Sequence, residues 1–421
     1  MAKRPQFLTD TPAGFPARRG ALKLLDAVLR RGETLDVAER AALKGVDGFA
    51  DRALARALAG EALRWLADLD ALIDSATRKR LPDDAKPRMV LRLMLAGWLR
   101  LDTPPHAVIA TGLPLLDGGP RRLAHGVFST LTRKQVTLPE VPTLPDRVLA
   151  RWGELAQEIA PAIAAPPPLD LTLRDWSQTD ELAAKLGGES LAPGHIRLPR
   201  GVAVEKLEGF EEGAFWVQDL AASLPARLLG EGAARRVLDL CAAPGGKTLQ
   251  LAAAGWKVTA LDISDKRLER LRENLARTQL SADIVVADAL EWEPEEGFDA
   301  VLLDAPCTAT GTCRRHPDVL HRIGGRHIAE MAELQSLLLA RAARCVKPGG
   351  RLVYATCSLE PEEGEQQAGA VELVPDPVNR DELPDGLMPG VEGWVRTHPG
   401  MLLEKGGLDG FFIARWKPQK S

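Results

Sequence analysis

Apolar positions fall into two regimes along the chain. Up to about residue 133 they recur at steps of three, four and seven, the spacing of a helix face; from residue 233 they come as short β-branched runs separated by helical stretches. The clearest face is Leu54, Leu58, Trp65, Leu69 and Leu72, which predicts one helix over about 50–78. Such a stripe is ordinary core and carries no functional signal. Further helices are predicted over 18–31, 87–100, 106–116 and 121–131, with Pro104-Pro105 marking the start of the 106–116 helix. Prolines at 139, 142, 145, 161 and 166–168 then surround a short helix containing Trp152 and Leu155, so 139–168 reads as a connector. Residues 169–232 hold short strand-like pieces and a helix near 179–186, a small α/β element.

Beyond residue 233, strands are predicted over 236–240, 257–261, 283–287, 298–303 and 351–355, alternating with helices. That alternation implies a mostly parallel sheet covered on both faces, a Rossmann-like α/β domain that binds ligands at the carboxyl ends of its strands. Residues 410–416 read as a last strand, antiparallel at the edge.

At 421 residues the chain exceeds one typical core, so a multidomain protein is expected. Its net charge of -4 hides an asymmetry. Residues 1–140 carry 23 Lys/Arg against 16 Asp/Glu, and residues 141–421 carry 31 against 42. A basic front half suits a polyanion partner, although solvated helix faces account for the charge equally well. Five irregularly spaced cysteines without a C-x-x-C pair argue against a disulfide framework and against a metal site. Residues 1–19 lack the apolar core of a signal peptide and no apolar run is long enough to span a bilayer, so a cytoplasmic protein without membrane attachment is expected.

The chemistry-bearing segments follow the predicted strands. Val237-Leu238-Asp239-Leu240-Cys241-Ala242-Ala243-Pro244-Gly245-Gly246-Lys247-Thr248 is a strand, a tight turn and a helix start. It ends like a phosphate-binding P-loop, but Cys241 stands where that motif needs its first glycine, and it lacks the G-x-G-x-x-G of a dinucleotide site. Asp262 ends the second strand, placed for ribose hydroxyls, and Asp288 ends the third, placed for an adenine amino group. Each alone would pass as a helix N-cap. Together after such a turn they point to an adenosyl ligand, and S-adenosyl-L-methionine fits better than NAD because no pyrophosphate site is evident.

Two thiols complete the set: Cys307 after Val301-Leu302-Leu303-Asp304-Ala305-Pro306, and Cys357 after Leu352-Val353-Tyr354-Ala355-Thr356. Carbon 5 of cytosine is a poor nucleophile until a thiolate adds to carbon 6 and converts the ring into an enamine. The reaction needs an attacking thiol, a group holding the N3 edge and a base for the carbon 5 proton. Cys357, Asp304 and Cys307 are the candidates in that order, and spacing alone does not say which thiol attacks. Cys345 and, for the most part, Cys241 read as small buried hydrophobes, and Cys313 as an incidental residue of the loop after Cys307.

These segments, with Arg314-Arg315-His316-Pro317-Asp318, Asp409-Gly410-Phe411-Phe412 and Val217-Gln218-Asp219, resemble the RNA 5-methylcytosine methyltransferase family. The match is to the bacterial form that modifies small-subunit (16S) ribosomal RNA and carries a NusB-like helical domain in front. The resemblance implies an all-α NusB-like RNA-binding domain over 1–138, the connector 139–168, the small element 169–232 and an S-adenosylmethionine-dependent methyltransferase domain over 233–421. It places the cofactor along Cys241, Ala242, Ala243, Pro244, Gly245, Gly246 and Lys247, with Asp262, Asp288 and Asp304 completing the site and Lys247 also approaching the base. It implies that Cys357 attacks and Cys307 assists release, whereas DNA cytosine methyltransferases attack with the Pro-Cys thiol. It also implies that Arg314 and Arg315 meet RNA phosphates. The expected partner is ribosomal RNA in a single-stranded or loop region, because the reacting base must leave the stack; a monomer is expected. One departure stands out: Leu169-Asp170-Leu171-Thr172 occupies a place where family members often show Leu-Arg-Ile-Asn.

Two other readings compete. A DNA cytosine-5 methyltransferase would use Cys307 as nucleophile, against which stand the second motif thiol and the helical front half. A ribosomal RNA-binding assembly factor without turnover would need none of Asp304, Cys307 and Cys357, yet all three are present.

Overall fold

The computed structural model describes residues 12–371 and 373–418; positions 1–11, part of the stretch read as lacking a signal peptide, lie outside the described residues. The described chain divides into two compact units, one formed by residues 12–150 together with 316–322, the other by 151–315 and the described residues from 323 to 418. Neither the connector nor the small α/β element is therefore a unit of its own. The proline-rich stretch is helical over Asp146–Trp152 and Leu155–Ile163, and the unit boundary falls between Ala150 and Arg151.

The first unit is a bundle of helices around Lys86–Arg100, which is buried from Arg88 to Gly97. Burying that helix on all sides also buries two arginines, and each finds carboxylates. Arg88 Nη1 lies 2.9 Å from Asp70, and Arg92 clamps the same carboxylate through two 2.7 Å bonds. Two of the front half's basic residues are thus engaged inside the bundle, each matched by an acidic residue of the same half. The expected helix over 50–78 is two helices, Phe49–Arg64 and Leu66–Ser75, broken at Trp65. The break contains neither glycine nor proline; Trp65 is buried and Arg100 stacks over its ring at 4.8 Å. The inserted 316–322 segment is anchored in this unit by His321, whose Nε2 donates to the Leu63 carbonyl at 2.7 Å.

The second unit holds two sheets. The smaller is antiparallel, ordered β2-β3-β1-β4, with β1 Leu169–Leu173, β2 Glu189–Ala192, β3 His195–Leu198 and β4 Phe215–Val217. Asp170, at the departure noted above, is a core residue of this sheet. It takes a two-pronged bond from Arg197 at 2.7 Å per contact and lies 3.2 Å from His195. Burial opposes its ionisation, but Arg197 and His195 hold its carboxyl well below the usual carboxylate range.

The larger sheet comprises β5 Arg236–Leu240, β6 Lys257–Asp262, β7 Asp283–Val286, β8 Phe298–Asp304, β9 Val346–Thr356, β10 Val374–Pro375, β11 Val395–Thr397 and β12 Phe411–Lys417. Its order is β10-β12-β9-β8-β5-β6-β7, with β11 pairing with β12. The neighbours from β9 to β7 are parallel, and β12 runs antiparallel to β9. Helices follow β5 (Gly246–Ala253), β6 (Asp265–Thr278) and β8 (Gly325–Arg344), whereas β7 runs to β8 without the helix expected between them, and apolar clusters lie on both sides of the sheet. The chain moves outward from β5 through β6 to β7, then jumps back to lay β8 on the other side of β5. The switch point is therefore between β5 and β8, where open sheets of this kind bind ligands.

Candidate active site

At the switch point the turn after β5 is closed by its own carboxylates. Cys241 has φ +62°, and Gly245 has φ +108° with no room for a Cβ, which would lie 2.3 Å from Leu271. Asp262, at the end of β6, accepts the Ala243 N–H at 3.1 Å and the Ser264 N–H at 2.9 Å. Asp288, beyond β7, accepts the Leu290 N–H at 2.9 Å. Both carboxylates thus carry the cap-like bonds either would show alone.

Ala242, Pro244, Gly245, Gly246 and Lys247 line a cleft of about 570 Å³ together with Asp239 and Asp304. Asp262 and Asp288 stand at the next strand ends, outside that lining. Asp239 is fully buried; one oxygen accepts the Thr248 hydroxyl at 2.5 Å and the other has no partner. Burial pushes its carboxyl up to about 7, although the Thr248 bond works the other way. An acceptor of this kind fits a ligand bearing ammonium or hydroxyl donors, as S-adenosylmethionine does. Cys241, also beside the turn, is pushed up to about 12 by burial and by Asp262, so it remains a thiol.

Lys247 Nζ crosses the switch point to Asp304 Oδ2 at 2.7 Å and sits 5.1 Å from the centre of the Phe411 ring. Because Asp304 is opposite Ala355 in the β8–β9 register, the chain leaving β8 and the chain leaving β9 emerge side by side. They bring Cys307 Sγ and Cys357 Sγ to 3.4 Å, within reach of an S–H···S hydrogen bond. Both cysteines are partly exposed, while Cys313 and Cys345 are buried. The bond with Cys357, then burial, then the charges of Cys357 and Glu363, push the Cys307 thiol well up.

The loop after Cys307 is fixed to the other motifs. Gly311 N–H donates to the Cys357 carbonyl at 3.0 Å, and Gly410 N–H donates to the Gly311 carbonyl at 2.8 Å. A Cβ on Gly311 would lie 2.0 Å from the Gly410 oxygen, so only glycine permits this approach.

Arg314 and Arg315 differ from the expectation of phosphate contacts. The Arg314 side chain is 1% exposed, with Nη2 at 3.0 Å from both Asp219 and Asp409 and Nη1 at 2.6 Å from the Gly406 carbonyl. Arg315 donates to Asp409 at 2.9 Å and to Asp219 at 2.6 Å. Two arginines and two aspartates close a square in which Arg314 and both aspartates are buried and Arg315 is about one-quarter exposed, so these guanidiniums are engaged with protein. Burial works against ionisation of Asp409, but Arg315 and Arg314 hold its carboxyl below the usual range. The roles of Asp219 and Asp409 were not read from the sequence, nor was that of Glu363. Glu363 is completely buried behind the two thiols, bonded to residues that follow each of them. Among the described residues no group of three or more His, Cys, Asp and Glu is placed to hold a metal, and no helix is long and apolar enough to cross a membrane.

Comparison with known proteins gives the family. Residues 226–417 match the family model described as 16S rRNA methyltransferase RsmB/F, and residues 16–115 match that of the NusB family. A ribosomal RNA small subunit methyltransferase B of Klebsiella pneumoniae is 37% identical over 401 residues, spanning 87% of this chain and 90% of the relative. One of the same description from Xylella fastidiosa (strain 9a5c) is 36% identical, spanning 94% and 98%. The crystal structure of a methyltransferase homolog protein from Pyrococcus horikoshii superimposes with a TM-score of 0.54 at 28% identity, covering 65% of this chain and 93% of that one.

Proposed function

The chain belongs to the RsmB/F family of 16S ribosomal RNA methyltransferases, and from that premise we propose that it methylates carbon 5 of a cytosine in small-subunit ribosomal RNA through a covalent bond to Cys357. The observation that carries this reading is the pair of thiols 3.4 Å apart on neighbouring strand ends, one strand from the Lys247–Asp304 pair.

S-adenosylmethionine, held by the turn 241–247 with Asp239, Asp262, Asp288 and Asp304, supplies an electrophilic methyl group. The Cys357 thiolate adds to carbon 6, and the ring's electron pair moves toward carbon 5. Lys247 offers a donor for N3 and Asp304 an acceptor for the exocyclic amino group, which orients the ring and stabilises the developing charge. With Cys357 bonded to carbon 6, the Cys307 thiol gives up its own proton to solvent, and once carbon 5 carries the methyl group the Cys307 thiolate takes the carbon 5 proton. The carbon 5–carbon 6 double bond re-forms and expels Cys357 as thiolate. Adduct formation itself prepares Cys307 for this step, because a sulfur bonded to carbon 6 no longer supplies the hydrogen bond and the charge that hold Cys307 up.

The base must enter a pocket away from its neighbours, which favours a single-stranded or loop region of RNA. The helical unit supplies further RNA contacts, and the protein acts as a monomer. Methyl transfer to small-subunit ribosomal RNA by the wild type and by Cys357→Ala tests the reading: the variant is expected to lose turnover completely while remaining folded. Full turnover by Cys357→Ala, with loss in Cys307→Ala and preference for duplex DNA, would instead favour the DNA-type mechanism.

A further inference from the structure

Glu363 lies in the short 3-10 turn Pro361–Glu363 after β9 and has no solvent exposure. One carboxylate oxygen accepts the Thr308 N–H at 2.9 Å and the Gln335 amide at 3.0 Å. The other accepts the hydroxyls of Thr308 and Ser358. Its own peptide carbonyl accepts the Tyr354 hydroxyl at 2.8 Å and the Thr356 hydroxyl at 3.1 Å.

Thr308 and Ser358 are the residues that immediately follow Cys307 and Cys357. All four side-chain partners are donors, and a carboxylate with both oxygens accepting satisfies them all. The hydroxyl protons are committed accordingly. Ser358 Oγ accepts the Glu360 N–H at 3.1 Å, Thr310 Oγ1 accepts the Leu359 N–H at 3.0 Å, and Thr310 is left to donate across 3.3 Å to Ser358. A carboxamide at position 363 would turn two donors of its own toward groups that already donate.

We propose that Glu363 is a positioning residue that holds the two cysteine-bearing turns in register and acts chiefly on Cys307, the release thiol. The bias toward Cys307 follows from the unequal anchoring of the two turns. Cys357 directly follows the last residue of β9, and its carbonyl is held by the Gly311 N–H. Cys307 stands three residues beyond β8, and both Thr308 donors end on Glu363.

The inference rests on the covalent reading above, and its test separates the two. Full-length wild type, Glu363→Gln, Thr308→Val and Cys307→Ala are incubated with small-subunit ribosomal RNA and S-adenosylmethionine. Turnover, KM for each substrate and the fraction of enzyme in a denaturation-resistant RNA adduct are then measured. Glu363→Gln is expected to lower kcat about 10- to 100-fold, the cost of a small misplacement of a reacting group. KM for RNA and for the cofactor should change little, and the adduct fraction should rise toward that of Cys307→Ala. Thr308→Val, which keeps the backbone bond and removes one hydroxyl, should move the adduct fraction in the same direction by less. If Glu363→Gln does not fold, Thr308→Val decides alone. A wild-type adduct fraction in the folded variants, with Cys307→Ala adducts plainly present, overturns the positioning role. Absence of adduct even in Cys307→Ala overturns the covalent reading on which it rests.

Discussion

Lys247 Nζ and Asp304 Oδ2 meet at 2.7 Å across the gap between β5 and β8, where strand order reverses. The lysine side chain is nearly buried and the aspartate about one-third exposed, so the pair presents its acidic end to the cleft. Asp304→Asn keeps the shape but gives up the charge that balances Lys247. We expect methyl transfer to fall about 10²- to 10⁴-fold, the range for a lost proton-handling or charge-stabilising group, with an unchanged circular dichroism spectrum. A variant with near-normal kcat would remove Asp304 from the reaction.

The square of Arg314, Arg315, Asp219 and Asp409 makes a prediction opposite to that of a phosphate contact. Arg315→Gln leaves two buried aspartates sharing one guanidinium, and breaking such a set costs about 3–5 kcal/mol. Thermal unfolding should shift down by several degrees. The slope of log RNA affinity against log salt should stay as in the wild type, whereas loss of a phosphate contact would reduce it by roughly one.

His321 sets a pH dependence in the helical unit. Its ring is partly buried against the Leu63 carbonyl, and the loss of solvation there lowers its pKa from 6.5 to about 4. The unfolded chain therefore binds the extra proton between these values, so this residue's contribution to stability is complete above about pH 6.5 and is lost as pH falls toward 4. The full loss amounts to about 3 kcal/mol. Denaturant titrations of wild type and His321→Asn across pH 4–7 should converge as the pH drops. Parallel curves would mean that the imidazole is protonated alike in both states.

Much of the site was legible because its signals are local. Asp304 ends β8 with Cys307 three residues beyond it, and Cys357 directly follows β9; strand ends at a switch point are where such sheets bind ligands. The break at Trp65 was not legible, since the apolar stripe continues across it, the one glycine of the stretch, Gly60, stays inside the first helix, and neither glycine nor proline stands at the break itself. Arg314 read as a phosphate contact because its charge is visible in sequence and its partners are not. Asp219 and Asp409 each lie 95 positions away, one on either side. Asp170 was hidden in the same way: its partner Arg197 comes from the neighbouring strand β3, and only the β1–β3 register pairs them.

The division of labour between the thiols is the central claim, and intact-protein mass after denaturation tests it most directly. Cys307→Ala incubated with small-subunit ribosomal RNA and S-adenosylmethionine, then digested with ribonuclease, should carry one nucleotide adduct located at Cys357. Cys357→Ala should carry none. An adduct located at Cys307 in the Cys357→Ala protein, or unmodified mass in both variants with turnover intact, would contradict it.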